Sequence, residues 1–188
     1  MSSAAKSTRT QELFELLKAL SFKRGNFTLA SGQKSEYYLD CRMTTLSARG
    51  SLLIGKLLYD HIRDLQVDAV GGMSMGADPI VTALTYRSAV LGHSLNGFLI
   101  RKETKGHGTG RQIEGHLQPW MRVVLVEDVV TTGGSTLKAI EAIRRFSPDV
   151  TIAKVIALVD RQAGGNETFK RQGIPYQSLF AIDAFLQE

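Results

Sequence analysis

Residues 123–126 form an unbroken aliphatic run, VVLV, the pattern of a strand buried on both faces of a parallel sheet. The run ends in two adjacent acids, Glu127 and Asp128, which alternation sends to opposite sides of the strand's carboxyl end. A polar turn follows, and then LKAIEAIRRF, whose Leu137, Ile140, Ile143 and Phe146 recur at helical spacing. The same reading predicts an amphipathic helix over 11–20, with Leu13, Phe14, Leu16, Leu17 and Leu20 apolar. Residues 27–30 and 37–41 read as two short strands around SGQKSE, a hairpin-like pair. A long helix is expected over 47–65, with Leu52, Leu53, Leu57 and Leu58 facing inward, then a strand at 68–71 and a helix at 79–91. Another strand spans 96–101, and a flexible loop runs on to about residue 118. A strand over 152–160 ends in DRQAGG, and a last strand at 176–180 and a short helix at Ala184 close the chain. Strands alternating with helices predict an α/β fold, a parallel central sheet with helices on both faces. No repeat, low-complexity segment or linker divides the chain, so residues 1–188 are expected to form one domain.

The polar turn, Thr131, Thr132, Gly133, Gly134, Ser135 and Thr136, opens a helix. Free N–H groups and the positive dipole end there attract an anion, and the hydroxyls add donors. Open α/β sheets place ligands at this end of the strands, where acids bind sugar hydroxyls. The block therefore reads as a sugar-phosphate cradle. No GxxxxGK[ST] occurs and no GxGxxG follows a strand, which excludes two better-known phosphate loops. An ordinary strand, turn and capped helix would account for Ser135 or Thr136 but not for two acids ending an apolar strand.

Three other segments carry candidate chemistry. Glu103, Thr104, Lys105, Gly106, His107, Gly108, Thr109 and Gly110 have no apolar anchor, so the segment reads either as a lid held closed by an anion or as an ordinary solvated loop. GGMSMGADPI, residues 71–80, is a second glycine-rich turn between strand and helix, whose backbone N–H groups suit an anion without any cation. Arg161, just past the apolar IALVD, either meets a planar carboxylate through its fork of donors or sits in a structural pair with Asp160 or Asp183.

At 188 residues and 43% hydrophobic content the chain can bury a sizeable core. No apolar run approaches the roughly 20 residues that span a bilayer, and MSSAAKSTRT lacks the apolar core of a secretory signal. The one cysteine, Cys41, is expected to fill space on a strand; it fits a reducing cytoplasm. Lys plus Arg number 23 against 18 acids, a net charge of +5. Arg101, Lys102, Lys105 and Arg111 crowd one short glycine-bearing loop, which favours a compact polyanion over a nucleic-acid track. His61, His93 and His116 have no ligand partners at metal spacing and read as surface residues, so no protein-held metal is expected.

On these residues EDVVTTGGST resembles the phosphoribosyl pyrophosphate (PRPP) signature of the type I phosphoribosyltransferases. GNFTLASGQKSEYYLD, RKETKGHGTG and LVDRQAGG resemble segments of the orotate phosphoribosyltransferases, and all four stand in that family's order from about Phe22 to the end. The resemblance implies a type I phosphoribosyltransferase fold with a small hood from about residues 1–45. It implies transfer of ribose 5-phosphate from PRPP to orotate, with Mg2+ carried mainly by PRPP or pyrophosphate. By resemblance, PRPP meets Ser74, Met75, Arg101, Lys102, Lys105, His107, Glu127, Asp128, Val129 and Val130, with Thr131, Thr132, Gly133, Gly134 and Ser135 holding the 5′-phosphate. Orotate meets Thr131 and Arg161, with Lys34 and Tyr38 in the hairpin that roofs the base; Tyr37 or Tyr38 is expected in the core. Lys105, His107 and Asp128 are the implied catalytic residues. The lid reaches a neighbouring subunit's site in the family, so a homodimer with shared sites is implied.

Two positions depart from the family. Met75 stands where many relatives carry lysine, and Ala30 where lysine is frequent; Lys34, four residues on, either compensates or faces solvent. Two rivals are distinguishable by sequence. An enzyme for another base should lack the FTLASG and DRQ segments together. A PRPP-sensing regulator would ordinarily carry a DNA-reading domain, for which about 20 residues before the first match leave no room. The expectation is a cytoplasmic enzyme of small substrates, with neither nucleic acid nor membrane as partner.

Overall fold

The computed structural model describes residues 3–28, 32, 34–103 and 112–187. In chain order the elements are α1 (Ser3–Leu20), β1 (Phe22–Thr28), β2 (Lys34–Leu39), α2 (Arg42–Thr45), α3 (Ala48–Ile62), β3 (Ala69–Met73) and α4 (Asp78–Val90). They continue with β4 (Asn96–Ile100), β5 (Ile113–Gly115), β6 (Arg122–Val130), α5 (Gly134–Phe146), β7 (Thr151–Asp160), α6 (Gly165–Arg171), β8 (Tyr176–Ala181) and α7 (Asp183–Leu186).

The main sheet has the order β5-β4-β3-β6-β7-β8, and every neighbouring pair is parallel except β4 with β5. The sequence predicts an α/β fold with a parallel sheet, and the sheet is parallel but for that short edge. Alternation along β6 divides the interior. Val124 and Val126 join Leu13, Leu17, Leu53, Leu57 and Leu84 of α1, α3 and α4 on one face. Val123 and Leu125 join Ala139, Ile140, Ile143 and Phe169 of α5 and α6 on the other. A strand covered on both faces has no polar side, which is why VVLV needs no alternation in type.

Several expectations need correction. β1 begins at Phe22 rather than residue 27; its largely exposed FKRGNFT carries little apolar patterning, and the ladder to antiparallel β2 is irregular between Arg24 and Phe27. β2 stops at Leu39, so Cys41 is not strand filler. The Asp40 carboxylate accepts from the Arg42 N–H and turns the chain into α2, for which Cys41 is the capping residue. Cys41 is fully buried, and burial pushes its thiol well above the usual range. Leu52 is 42% exposed, because the inward stripe of α3 runs through Leu53, Ile54, Leu57 and Leu58, one position further round the helix. Phe146, at the last turn of α5, is also exposed. The segment expected as loop up to residue 118 contains β5, whose three residues are too few to show a pattern. α6 offers just Phe169 as a buried apolar side chain and gives no helical period. α1 starts at Ser3, eight residues before the predicted helix, through a stretch without apolar periodicity.

Candidate active site

β6 does not end with its apolar run but continues through both acids to Val130. The pleat separates them. Glu127 follows Leu125 onto the α5 face and is 6% exposed; its Oε1 accepts a bond from Thr136 Oγ1 at 2.9 Å. Burial pushes the Glu127 carboxyl up to about 7, aided by Asp128 and opposed by Thr136 and Lys102. Asp128 follows Val126 onto the opposite face, where Oδ1 accepts from the Val129 N–H at 2.8 Å. Burial raises its carboxyl too, against the pull of the Val129 N–H and of Arg42. Arg42 is itself held by Asp40 through two bonds of 2.8 Å.

The turn after β6 is set by Gly133, whose φ of 82° is the left-handed conformation that caps α5. A Cβ there would meet the Phe169 ring at 3.0 Å. Neither Ser135 nor Thr136 is the cap; Thr136 is instead spent on Glu127. Among the described residues the N–H groups of 131–136 have no backbone partner. They border a cavity of about 80 Å3 lined by Glu127, Val129, Val130 and the turn itself. That is far below the roughly 300–1,000 Å3 of a drug-sized cleft and suits one small oxyanion.

The second glycine-rich turn lies beside Asp128. Ser74 N–H donates to Ile100 O at 2.8 Å, and Ser74 Oγ to Asp78 Oδ2 at 2.8 Å. The N–H groups of Met75 and Gly76 have no partner among the described residues, and the Met75 side chain is 64% exposed. A Cβ on Gly76 would stand 2.5 Å from Asp128 Oδ1, so the bare backbone at Gly76 is what allows that carboxylate its position. Gly76→Ala is expected to weaken sugar-phosphate binding at this edge about tenfold, one displaced polar contact, with the melting temperature changed by only about a few degrees. Calorimetric titration and thermal unfolding of the same variant check both parts.

Arg101 lies just beyond β4 with its Nε bonded to Glu114 Oε1 of β5 at 3.1 Å, and Lys102 next to it is exposed. Lys105, His107 and Arg111, like Ala30, lie outside the described residues. Arg161 follows β7 and pairs with neither Asp160 nor Asp183. Its N–H donates to Val130 O at 2.8 Å, and its Nε to Tyr37 Oη at 3.0 Å, with the guanidinium carbon 4.9 Å from the Tyr37 ring centroid. Tyr37 is the tyrosine packed on the core, stacked on Phe22; Tyr38 is 40% exposed beside Phe27. Lys34 is exposed at the start of β2. His93 and His116 are exposed, whereas His61 is half-buried next to Gln177, so the surface reading fails for it.

The structure thus gathers Glu127, Asp128, both glycine-rich turns and the backbone of Arg161 at the carboxyl edge of the sheet. The sequence singles out the two turns and the tyrosine pair but not the pairings of Thr136 with Glu127, Gly76 with Asp128 and the Tyr37 hydroxyl with Arg161. No local spacing announces any of them, since each is defined by a partner on another element. Among the described residues no cluster of three or more His, Cys, Asp or Glu side chains is placed to hold a metal ion, and no helix is long and apolar enough to cross a membrane.

The family model of the phosphoribosyl transferase domain matches residues 48–171. The chain is 43% identical to the orotate phosphoribosyltransferase of Rhodopirellula baltica over 191 residues, covering 98% of each. In fold it is similar to two crystal structures of Mycobacterium tuberculosis orotate phosphoribosyltransferase. The complex with Fe(III) dicitrate gives a TM-score of 0.83 at 37% identity, and the complex with PRPP a TM-score of 0.80 at 35%, each over 94% of this chain and 98% of that one. A shared fold, a matching domain model and 43% identity over nearly the whole chain place it in the orotate phosphoribosyltransferase family.

Proposed function

We propose that this chain transfers the phosphoribosyl group of PRPP to N1 of orotate, releasing pyrophosphate and forming orotidine 5′-monophosphate for de novo pyrimidine synthesis. The observation that carries the reading is the end of β6: two acids on opposite faces, followed at once by a turn of unpartnered N–H groups around a small cavity. That arrangement suits a sugar with hydroxyls on one side and a terminal phosphate on the other. The PRPP complex of the M. tuberculosis relative supports the donor, and the names of the relatives support the acceptor.

The 5′-phosphate rests on residues 131–135, and Glu127 and Asp128 accept from the ribose hydroxyls. Each acid keeps one oxygen free after its bond to Thr136 or Val129. Pyrophosphate lies against the N–H groups of Met75 and Gly76 and beneath Arg101, Lys102, Lys105 and His107. Met75 contributes backbone alone, so cationic compensation falls to the lid. Arg161 presents its terminal guanidinium nitrogens to the orotate carboxylate, because its Nε is already committed to Tyr37. Thr131 adds a contact to the base, and Tyr38 and Lys34 roof it. Displacement at ribose C1 is in line, with positive charge developing on the sugar as negative charge develops on pyrophosphate. The protein's share is positioning, exclusion of water and cations placed where the negative charge grows.

Mg2+ fits this site as a companion of the diphosphate. The two carboxylates offer too few free oxygens for a protein cage, and Mg2+ retains water and binds through phosphate oxygens. When bound it neutralises charge on the leaving group. A homodimer sharing its sites through the 102–110 lid, a hood built from the first 45 residues or so, and a cytoplasmic location complete the proposal. The acceptor is tested by presenting orotate, uracil, adenine and hypoxanthine in parallel with PRPP and Mg2+. Orotate alone should be consumed. Turnover of another base reassigns specificity, and turnover of none points to a PRPP sensor.

A further inference from the structure

Arg161 is presented by a turn that two buried side chains hold from behind. Asp160, the last residue of β7, is buried, and its carboxylate accepts two bonds: Oδ1 from the Gln162 N–H at 2.7 Å and Oδ2 from Tyr176 Oη at 3.0 Å. The first bond closes a tight turn directly over Arg161, and Gln162 takes up a φ of 55°, unusual for a residue with a side chain. The Gln162 amide reaches the Asp183 carboxylate at 3.1 Å, so its side chain points to the far side of the turn. With Gln162 so turned, the Arg161 N–H meets Val130 O and its guanidinium meets Tyr37.

Tyr176 has a second attachment. Its ring lies 4.8 Å from that of Phe169, which occupies the space beneath Gly133 of the phosphate turn. Burial, and then the adjacent Asp160, push the Tyr176 phenol well above its usual range, so it stays a neutral donor at any working pH. One continuous line of contacts therefore runs from the phosphate turn through Phe169, Tyr176 and Asp160 to the turn that carries Arg161.

We infer that Asp160 and Tyr176 are positioning residues for orotate recognition, acting through the Gln162 turn to hold Arg161 where its free guanidinium nitrogens meet the orotate carboxylate. The inference rests on the assignment of Arg161 to orotate. Tyr176→Phe isolates it, because the ring stays on Phe169 and under Gly133 while the bond to Asp160 is lost. One buried charge-assisted bond fewer lets the turn relax, and the orotate KM should rise about tenfold. The PRPP KM should stay within about twofold, since the packing beneath the phosphate turn is preserved.

The experiment measures orotate and PRPP KM values and kcat for the full-length wild type and for Arg161→Ala, Tyr176→Phe, Asp160→Ala and Asp160→Asn. Arg161→Ala should raise the orotate KM by about two orders of magnitude, as loss of a bidentate contact does. Asp160→Ala should match or exceed Tyr176→Phe, and Asp160→Asn, which still accepts from Gln162 and can donate to Tyr176, should return to within about threefold of wild type. If Tyr176→Phe shifts both KM values together, or neither, while Arg161→Ala acts on orotate alone, the positioning role is wrong and the assignment of Arg161 stands. If Arg161→Ala leaves the orotate KM unchanged, the assignment itself is wrong and the inference falls with it. Should Asp160→Ala not fold, the Tyr176→Phe result decides.

Discussion

Glu127→Gln is expected to make the protein more stable at pH 8 and a much poorer enzyme. Folded Glu127 holds its proton to about pH 7, whereas the ordinary value is 4.5. Between those values the folded state binds more protons than the unfolded one, so stability falls as pH rises across the window and levels off above about 7. The ionised, buried carboxylate therefore costs up to about 3 kcal/mol at pH 8, an order-of-magnitude figure. Glutamine keeps the acceptor for Thr136 Oγ1 and removes the charge. Denaturant unfolding should show the variant gaining stability at pH 8 and the gain vanishing by about pH 4.5. In the proposed function the same charge receives the ribose hydroxyls, and its loss should lower kcat/KM for PRPP by one to two orders of magnitude, roughly one charged hydrogen bond. In the wild type kcat/KM for PRPP should rise with pH to a plateau above about 7, a limb to which Asp128 adds. Equal stability of variant and wild type at both pH values would show that Glu127 carries no burial cost. Stability spent on a site charge in this way is the usual trade between folding and function.

Lys105→Ala should reduce kcat by about two to three orders of magnitude while leaving the unfolding midpoint within about a degree. The segment around Lys105 has no apolar residue to contribute to folding, and the proposed function gives its cations a role where pyrophosphate charge develops. Placing the lid over a neighbour's site adds a sharper test. Lys105→Ala and Asp128→Ala chains, each nearly inactive alone, should on mixing and subunit exchange recover up to about a quarter of wild-type activity, because half of the dimers then hold one intact site. An unchanged kcat in Lys105→Ala contradicts the lid. Absence of recovery, with exchange demonstrated, contradicts the sharing of sites.

The parts of the fold legible in the sequence are those whose burial is local and periodic. The strand at 123–126, the helices around Leu53 and Ile140, and the polar turn before α5 all announce themselves through neighbours in the chain. What stayed hidden is short or defined from afar. β5 has three residues, and α6 is held by the single ring of Phe169. Cys41 was misplaced because the Asp40 to Arg42 turn, rather than strand pairing, buries it. At the site, the structure brings Glu127, Asp128 and Arg161 to one edge of the sheet, and these three candidates, with a structural pair left open for Arg161, were legible in the residue types at the strand ends. Their partners were not. Thr136 belongs to Glu127 because α5 begins seven residues after it and returns Thr136 over the strand, Gly76 to Asp128 because two strand ends lie side by side, and Tyr37 to Arg161 because the hairpin brings Tyr37 to the end of β7.

The most direct measurement is to follow orotate absorbance and released pyrophosphate in one sample of purified protein with Mg2+, with PRPP added last. The account predicts no change before PRPP, then loss of orotate matched mole for mole by pyrophosphate. Pyrophosphate release without orotate loss, or neither change with folded protein, would contradict it.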